Sequence, residues 1–471
     1  MEKILRPYQR EGVEWILQRL QGGAGACLLA DEMGLGKTLQ SLSAAEMVLQ
    51  GEGGPVLIVC PTSLLGNWDQ EAAKFLPERT TYLLHGPKRW ENSAERNDAD
   101  LWITSYALLA RDKERWADLE VSLAILDEAS AIKNPDTQNA KAARALPAGK
   151  RIALTGTPVE NSIRELWSIF QYLVPGYLGG RKEFKERYED GVANGQASKG
   201  TMRRLRQRIQ PLMLRRTKDV VAKELPAKIE QVRYCELTDE QHALYEAILR
   251  ESRTKIDQAL SAKSQGQARM TILTALLRLR QLCCDPRLLP LDEKAEEKKK
   301  NVRSGKGELF EELLEQCLKG DHRVLLFSQF TGMLKLLRER LDEQEIPYCY
   351  LDGGSTDRAE QVARFQAQAA ERIFLISLKA GGYGLNLTQA DTVVHYDPWW
   401  NPAVEAQATD RAHRIGQTRA VTSYKLITRG TVEEKILDLQ RKKKAVIEAA
   451  LEDGEPMMQG LTTDELVEVI G

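Results

Sequence analysis

Residues 26–38 read ACLLADEMGLGKT. A short apolar run, Ala26–Ala30, meets an acidic pair, Asp31 and Glu32, and Gly34-Leu35-Gly36-Lys37-Thr38 then opens the stretch Thr38–Gln50, whose composition favours helix. The pattern predicts strand, loop and helix in succession. Such a loop suits phosphate binding: the backbone N–H groups at the helix start point at the anion, the lysine adds a charge, and the threonine hydroxyl reaches a magnesium ion. Asp31 stands where the strict pattern has its first glycine. A Gly-Lys-Thr triplet alone is common in chains of this length, so the flanking strand and helix carry the reading.

Outward from this stretch the pattern continues. Val56–Cys60 (VLIVC), Leu101–Thr104 (LWIT), Leu123–Leu126 (LAIL) and Arg151–Leu154 (RIAL) are short apolar runs bounded by polar or turn residues. Short buried strands alternating with helical stretches predict a parallel sheet. The pattern returns after residue 320 in Arg323–Phe327, Arg372–Ser377, Thr392–Tyr396 and Ser423–Ile427, with helical stretches at Met333–Gln344 and Ala359–Ala370. Two α/β lobes follow. Between them Ser162–Leu289 is helical in composition and poor in strand signals, and Thr201–Lys218 carries Arg203, Arg204, Arg206, Arg208, Arg215, Arg216 and Lys218 without an acid. Asp292–Glu308 is charged and nearly free of large apolar residues, which predicts a linker. A last helical stretch, Val432–Leu451, contains the basic run Arg441–Lys444, read as a solvated helix end.

Composition narrows the function classes. The 471 residues are 42% hydrophobic and 29% charged, ordinary globular values. Lysine and arginine total 67 against 68 acids, a net charge of −1, so any polyanion site must come from local clustering. The seven cysteines include no C-x-x-C pair, which points to buried apolar thiols in a reducing compartment, the vicinal Cys283 and Cys284 among them. No apolar run approaches a membrane span of about 20 residues, and Glu2, Lys3 and Arg6 replace a secretory h-region. A cytoplasmic protein without membrane contact is expected.

Two further patterns carry chemistry. Asp127 and Glu128 end the strand LAIL, where one carboxylate can hold magnesium through water and the next can orient the attacking water. The plain alternative is a solvated strand end. In QATDRAHRIGQTR (Gln407–Arg419), Arg411 and Arg414 are three apart, so a helix would carry them on one face. Arginines brought in from a second lobe can stabilise a transferring phosphoryl group, worth about 10³ to 10⁵ in rate. A basic surface helix is the alternative.

With these motifs in order, the chain resembles the motor of a Swi/Snf-type ATPase of helicase superfamily two. ADEMGLGKT (Ala30–Thr38) is similar to the family's first motif, in which Asp31 is usual. LRPYQREGVEW (Leu5–Trp15) resembles its adenine-contacting segment, VCPTSLLGNW (Val59–Trp68) and ITSYALL (Ile103–Leu109) its motifs Ia and Ib, LDEAS (Leu126–Ser130) its DEAH-like box and ALTGTPVENS (Ala153–Ser162) its motif III. LLFSQF (Leu325–Phe330), YLDGGST (Tyr350–Thr356), LISLKAGGYGLNLTQAD (Leu375–Asp391), DPWWNP (Asp397–Pro402) and QATDRAHRIGQTR resemble the motifs of the second lobe. The likeness runs from Leu5 to Leu451, and LTTDELVEVI (Leu461–Ile470) resembles the ending of bacterial members. Ser130 replaces the His or Gln common at the end of the box, and Tyr383 a smaller residue in motif V.

The resemblance implies an α/β fold: two tandem RecA-like parallel-sheet lobes with helical protrusions between them. It implies lobe 1 at residues 1–161, protrusions at 162–290, a linker at 291–308, lobe 2 at 309–451 and a tail at 452–471. It implies a DNA-dependent ATPase that uses ATP and Mg²⁺. Gln9 would read adenine; Gly34, Gly36, Lys37, Thr38, Gly384 and Gln407 would bind nucleotide; Thr38 and Asp127 would hold magnesium, largely through water. Lys37, Asp127, Glu128, Arg411 and Arg414 would be catalytic, the two arginines as fingers. Thr62, Ser63, Asn67, Ser105, Gln329, Lys379, Trp399, Trp400, Arg203 and Arg204 would contact DNA. For Trp399 and Trp400 the alternative is packing between lobe and protrusion; for the arginines it is a solvated helix face. The expected protein is a monomeric motor that moves along double-stranded DNA without separating its strands and remodels or displaces bound proteins, nucleoid-associated if bacterial. Two other readings are a strand-separating helicase of the same superfamily and a nucleotide-gated DNA-binding module with little turnover.

Overall fold

A computed structural model describes residues 4–51, 53–159, 163–189, 199–261, 265–289, 304–367, 370–381 and 385–441. Gly384, Tyr383, most of the expected linker and the 452–471 tail lie outside these residues. The chain divides into two compact units, the first ending at Glu224 and the second beginning at Leu225.

The first unit is built on a seven-stranded sheet of order β3-β4-β2-β5-β6-β1-β7. Its strands are β1 (Ala26–Leu29), β2 (Val56–Cys60), β3 (Thr81–Leu83), β4 (Leu101–Ser105), β5 (Val121–Leu126), β6 (Ala148–Leu154) and β7 (Met213–Leu214). All pairs are parallel. Side chains alternate across a strand, so β1 feeds two cores. Ala26 and Leu28 pack with Trp102, Phe170 and Tyr172 on one face, while Cys27 and Leu29 pack with Ile16, Leu42 and Trp68 on the other. That second face is covered by α1 (Pro7–Gln21), α2 (Lys37–Gly51) and α3 (Leu65–Phe75). Every residue of β1 is buried, which explains its continuous apolar run.

The second unit holds a six-stranded sheet of order β10-β11-β9-β12-β13-β8. It comprises β8 (Lys228–Cys235), β9 (Val324–Ser328), β10 (Tyr348–Leu351), β11 (Ile373–Ser377), β12 (Thr392–His395) and β13 (Val421–Thr428), again all parallel. The expected parallel-sheet lobes are therefore both present.

The stretch 162–290 differs from its sequence reading. It is not uniformly helical: β7 extends the first sheet and β8 the second. Both are edge strands. In β8 (KIEQVRYC) Ile229 and Tyr234 face solvent at 43% and 37% exposure, so no buried apolar run announces it. The helices divide with the strands. Ile163–Leu173 and α4 (Lys199–Ile209) belong to the first unit, and α5 (Asp239–Ser261) and α6 (Gln265–Cys284) to the second.

Two buried polar contacts lock the second unit. Lys306, on α7 (Gly305–Lys319), places Nζ 2.5 Å from both carboxylate oxygens of Glu433, and both side chains are fully buried. Glu433 also accepts from the Thr428 N–H at 2.9 Å, so the pair ties α7, the end of β13 and the helix at 432–441 together. All seven cysteines are buried thiols, as their apolar surroundings suggested. His395, at the end of β12, is buried with Nε2 2.9 Å from Thr409 Oγ1.

Removing one partner of a buried ion pair strands the other charge, which costs about 3–5 kcal/mol. Lys306→Ala or Glu433→Ala is expected to lower the unfolding free energy by that order, whereas Lys306→Met with Glu433→Leu recovers most of it. Urea unfolding of the three variants measures the cycle. Burial pushes the His395 imidazole down to about 4. Its unfolded value is about 6.5, so below that pH the unfolded chain takes a proton that the folded chain refuses. Stability is then full above about pH 6.5 and is lost down to about pH 4, at roughly 1.4 kcal/mol per unit. The slope of urea midpoint against pH should flatten in His395→Gln.

Candidate nucleotide and DNA sites

Because the strands of each sheet run parallel, their C-terminal ends share one edge, where open α/β sheets bind ligands. In the first unit this edge carries the loop after β1, Thr62 after β2, Ser105 ending β4, Asp127 after β5 and Thr155 after β6.

The loop after β1 has a defined shape. Gly34 and Gly36 adopt φ of 85° and 76°, the left-handed region that favours glycine. Lys37 and Thr38 begin α2. The Leu35 carbonyl accepts from Tyr8 Oη at 3.0 Å, Gln9 Nε2 at 3.2 Å and Gln40 Nε2 at 3.3 Å. Three side chains thus pin one loop carbonyl from two helices. Gln9 is buried, and its Oε1 accepts from the Arg6 N–H at 3.0 Å. Its amide is engaged in holding the loop as well as being the expected adenine reader. Lys37 Nζ donates to the Asp31 carbonyl at 2.7 Å, inside the loop. A Cβ on Gly156 would lie 2.7 Å from Met33 Cγ and 3.7 Å from Lys37 Nζ, so the segment after β6 closes against the loop.

Asp127 is held in orientation. Its Oδ2 accepts from Trp68 Nε1 at 2.8 Å and its Oδ1 from the Glu128 N–H at 2.9 Å. The Asp127 carbonyl accepts from Tyr106 Oη at 2.7 Å. Burial, then the Asp127 charge, raises the Tyr106 phenol well above its usual range, so it stays a neutral donor. Glu128 sits at φ 49°, left-handed backbone that is costly for a residue with a side chain and typical of strained functional positions. Ser130 Oγ turns back to the Glu128 carbonyl at 3.4 Å. Among the described residues no group of three His, Cys, Asp or Glu could hold a metal by itself. An ion beside Thr38 and Asp127 would lean on phosphate and water, as magnesium commonly does.

The residues expected to meet DNA divide. Thr62 and Ser63 are exposed at the end of β2, and Lys379 is exposed after β11. Asn67 donates to Glu71 Oε1 at 3.4 Å on α3. Ser105 is buried, and its Oγ caps the helix Tyr106–Arg111 by accepting from the Leu108 N–H at 3.4 Å. On α4, Arg203 and Arg204 are exposed while Leu205 and Ile209 join the core. Arg216, four residues beyond the helix-ending turn, is turned inward against Asp31, with Nη2 2.5 Å from Oδ2.

In the second unit the aromatic residues clasp an arginine that the sequence reading passed over. Arg280, on α6, lies 5.5–5.7 Å from the ring centroids of Phe330, Trp399 and Trp400. It donates to Gln329 Oε1 at 3.2 Å and to the Pro398 carbonyl, with Asp397 Oδ2 3.8 Å away. Trp400 packs on the α5–α6 core and Trp399 on the sheet. Packing between lobe and protrusion therefore accounts for much of both rings.

One local expectation is corrected. The helix carrying Gln407, α8 (Pro402–Thr409), ends before Arg411, so Arg411 and Arg414 lie in turns rather than on one helical face. Past the helix, Gln417 Nε2 lies within 2.7–3.1 Å of the carbonyls of Thr388, Ala390 and Ala412 and fastens the chain back onto the segment before β12. Arg411 is buried, and Arg414 donates to the Leu385 carbonyl at 3.2 Å. Burial, then the charge of Arg411, holds the Arg358 guanidinium below its usual range, so two cationic groups gather there.

A profile of the SNF2-related domain matches residues 8–288, more than half of the chain. One of the helicase conserved C-terminal domain matches residues 305–416. The chain is 40% identical to a putative ATP-dependent helicase/translocase of Bacillus subtilis, YwqA, over 99% of this chain and 50% of that protein. It is 35% identical to an uncharacterized ATP-dependent helicase of Mycoplasma pneumoniae, over 98% and 44%. It is 32% identical to the TATA-binding protein-associated factor MOT1 of Saccharomyces cerevisiae, over 100% and 28%. The chain thus spans half or less of the length of these curated relatives. The solved SWI2/SNF2 ATPase core of Sulfolobus solfataricus in complex with dsDNA is 37% identical, covering 99% of this chain and 96% of that one, with a TM-score of 0.47.

An alanine at Gly36 would face φ 76° and bring its Cβ against the Gln9 amide. Strain of this kind costs roughly 1–3 kcal/mol. Gly36→Ala is expected to weaken binding of a fluorescent ATP analogue about tenfold or more. Unchanged affinity would mean that the loop opens away from Gln9 at no cost.

Proposed function

The chain belongs to the SNF2-related family, and from that premise we propose that it is the motor of an ATP-dependent translocase on double-stranded DNA. The observation that carries the reading is the glycine loop between β1 and α2, with Lys37 folded into it and Asp127–Glu128 at the same sheet edge. Lys37 and the N–H groups opening α2 bind the phosphates of ATP. Thr38 and Asp127 would hold magnesium, which would supply charge neutralisation to the nucleotide phosphates. Glu128 orients the attacking water and takes its proton. Arg411 and Arg414 stabilise charge on the transferring phosphoryl group, and Gln9 selects adenine.

Thr62, Ser63, Lys379, Arg203 and Arg204 offer exposed hydroxyl and cationic groups, the chemistry that grips a phosphate backbone without reading sequence. Gln329, Trp399 and Trp400 complete that contact from the loops that Arg280 braces. The task we assign is the displacement of proteins bound to DNA, by tracking an intact duplex. A relative is named for association with TATA-binding protein, which fits a motor whose targets sit on DNA. Other relatives are named helicases, which supports strand separation as the competing reading.

Steady-state ATPase rates with no nucleic acid, single-stranded DNA, duplex DNA and duplex RNA decide between them. Stimulation by duplex DNA of about tenfold or more is expected, with Lys37→Ala and Glu128→Gln at blank level. Equal or stronger stimulation by single strands would favour the strand-separating helicase. A blank-level rate on every ligand would favour the nucleotide-gated binding module.

A further inference from the structure

We propose that Arg216 is a positioning residue that joins the basic helix α4 to the phosphate loop, acting through the buried carboxylate of Asp31. The inference rests on the nucleotide and DNA reading above and adds a link between its two sites.

The chain leaves α4 through a short turn and runs as Met213–Lys218 directly alongside the loop. β7 pairs with β1 in parallel register, Leu28 with Met213 and Leu29 with Leu214. The pairing then continues past the strand end. The Ala30 N–H donates to the Leu214 carbonyl at 2.7 Å and the Glu32 N–H to the Arg216 carbonyl at 2.9 Å. Side chains double the attachment. Asp31 Oδ1 accepts from the Arg216 N–H at 3.1 Å and from its Nε at 3.0 Å, and Oδ2 from Nη2 at 2.5 Å. Glu32 Oε2 accepts from the Lys218 N–H at 2.8 Å, and Lys218 Nζ lies 3.6 Å from Glu32 Oε1. Both loop acids are thus held by this one strap.

Arg216 reaches further. Its Nη2 donates to Gln40 Oε1 at 2.7 Å, and Nη1 donates to the Tyr8 carbonyl. Its guanidinium lies 5.3 Å from the centroid of the Tyr8 ring. Tyr8 and Gln40 are two of the three donors that pin the Leu35 carbonyl. One guanidinium therefore orders the first loop residue and two of the side chains that fix the loop's far end. A Cβ on Gly12 would meet the side-chain ends of Gln40 and Arg216, so α1 passes directly against this cluster.

The charges explain why the arginine matters for nucleotide. Asp31 has no exposed surface, and a buried carboxylate beside a polyphosphate site repels the ligand unless it is neutralised. A bidentate arginine neutralises it and fixes its direction. Loss of Arg216 leaves a buried charge uncompensated within the loop and frees the strap from it. A shift of α4 on a DNA backbone then no longer reaches Lys37.

The test compares wild type with Arg216→Gln, Arg216→Lys, Asp31→Asn, and the double variant Asp31→Asn with Arg216→Gln. Three quantities are read: affinity for fluorescent ATP and ADP analogues without DNA, KM and kcat with and without duplex DNA, and melting temperature. Arg216→Gln is expected to weaken the ATP analogue about tenfold or more, and more than the ADP analogue, which carries less charge. Arg216→Lys restores part of the loss, and the neutral double variant brings ATP affinity back to within about threefold of wild type. The double variant nevertheless keeps a reduced DNA stimulation, because the strap is no longer fixed by the carboxylate. Equal loss for both nucleotides with no recovery in the double variant would overturn the proposal. So would wild-type affinity and stimulation in a normally folded Arg216→Gln. Should Arg216→Gln not fold, the double variant is compared directly with wild type, and wild-type DNA stimulation in that folded variant overturns the proposal as well. A wild type that binds ATP but is not stimulated by DNA would fail the function proposed above, while the charge comparison in analogue binding would still decide the role of Arg216.

Discussion

A fully buried carboxylate in the glycine loop after β1 is the constraint around which the first unit is arranged. Asp31 occupies a position where the strict loop pattern needs no side chain, and burying its charge is unfavourable without a close cation. The cation comes from Arg216, 185 residues away in the chain. Bringing it there requires β7 to lie beside β1 and the chain from α4 to pass the loop. It also brings the arginine against α1, where Nη1 donates to the Tyr8 carbonyl and the guanidinium lies over the Tyr8 ring. One ion pair thus ties a strand, a strap and a helix to the loop.

Parallel sheets then do the collecting. Every strand of each sheet ends on the same edge, so motifs scattered over the first unit's sequence meet around one loop. Asp127 is aimed by Trp68 and by the backbone of Glu128, and the left-handed geometry of Glu128 turns the chain sharply after β5. In the second unit the equivalent edge is braced by Arg280 among Phe330, Trp399 and Trp400. Both edges carry an arginine from the middle of the chain, packed on aromatic rings and hydrogen-bonded to backbone carbonyls. Guanidinium groups suit this role because they stack and donate in a fixed plane.

Much of this was legible from residues alone, for a physical reason. Strands buried on both faces must be continuously apolar, so ACLLA, VLIVC and RVLLF announce themselves. Edge strands need only half-bury, and β8 mixes charged, polar and apolar residues like many surface segments. The helix expected through Arg411 and Arg414 failed because helix ends depend on distant partners. Here the helix ends at Thr409, and the Gln417 amide ties the turns that follow to Thr388 and Ala390, far back in the sequence. The arginine-rich stretch looked uniform in sequence, yet burial separates exposed Arg203 and Arg204 from inward Arg216 and Lys218.

The two α/β lobes, the phosphate-type loop and the order of the motifs are legible in the residues themselves, because these follow from local apolar runs and glycine geometry within a few residues. Tertiary structure alone decided which acid is neutralised by which base, which side chains pin the Leu35 carbonyl, and which aromatic rings clasp Arg280. Those outcomes join residues far apart in the chain. They depend on burial raising the penalty for an unpaired charge or donor, and burial exists only once the sheets have closed over their cores.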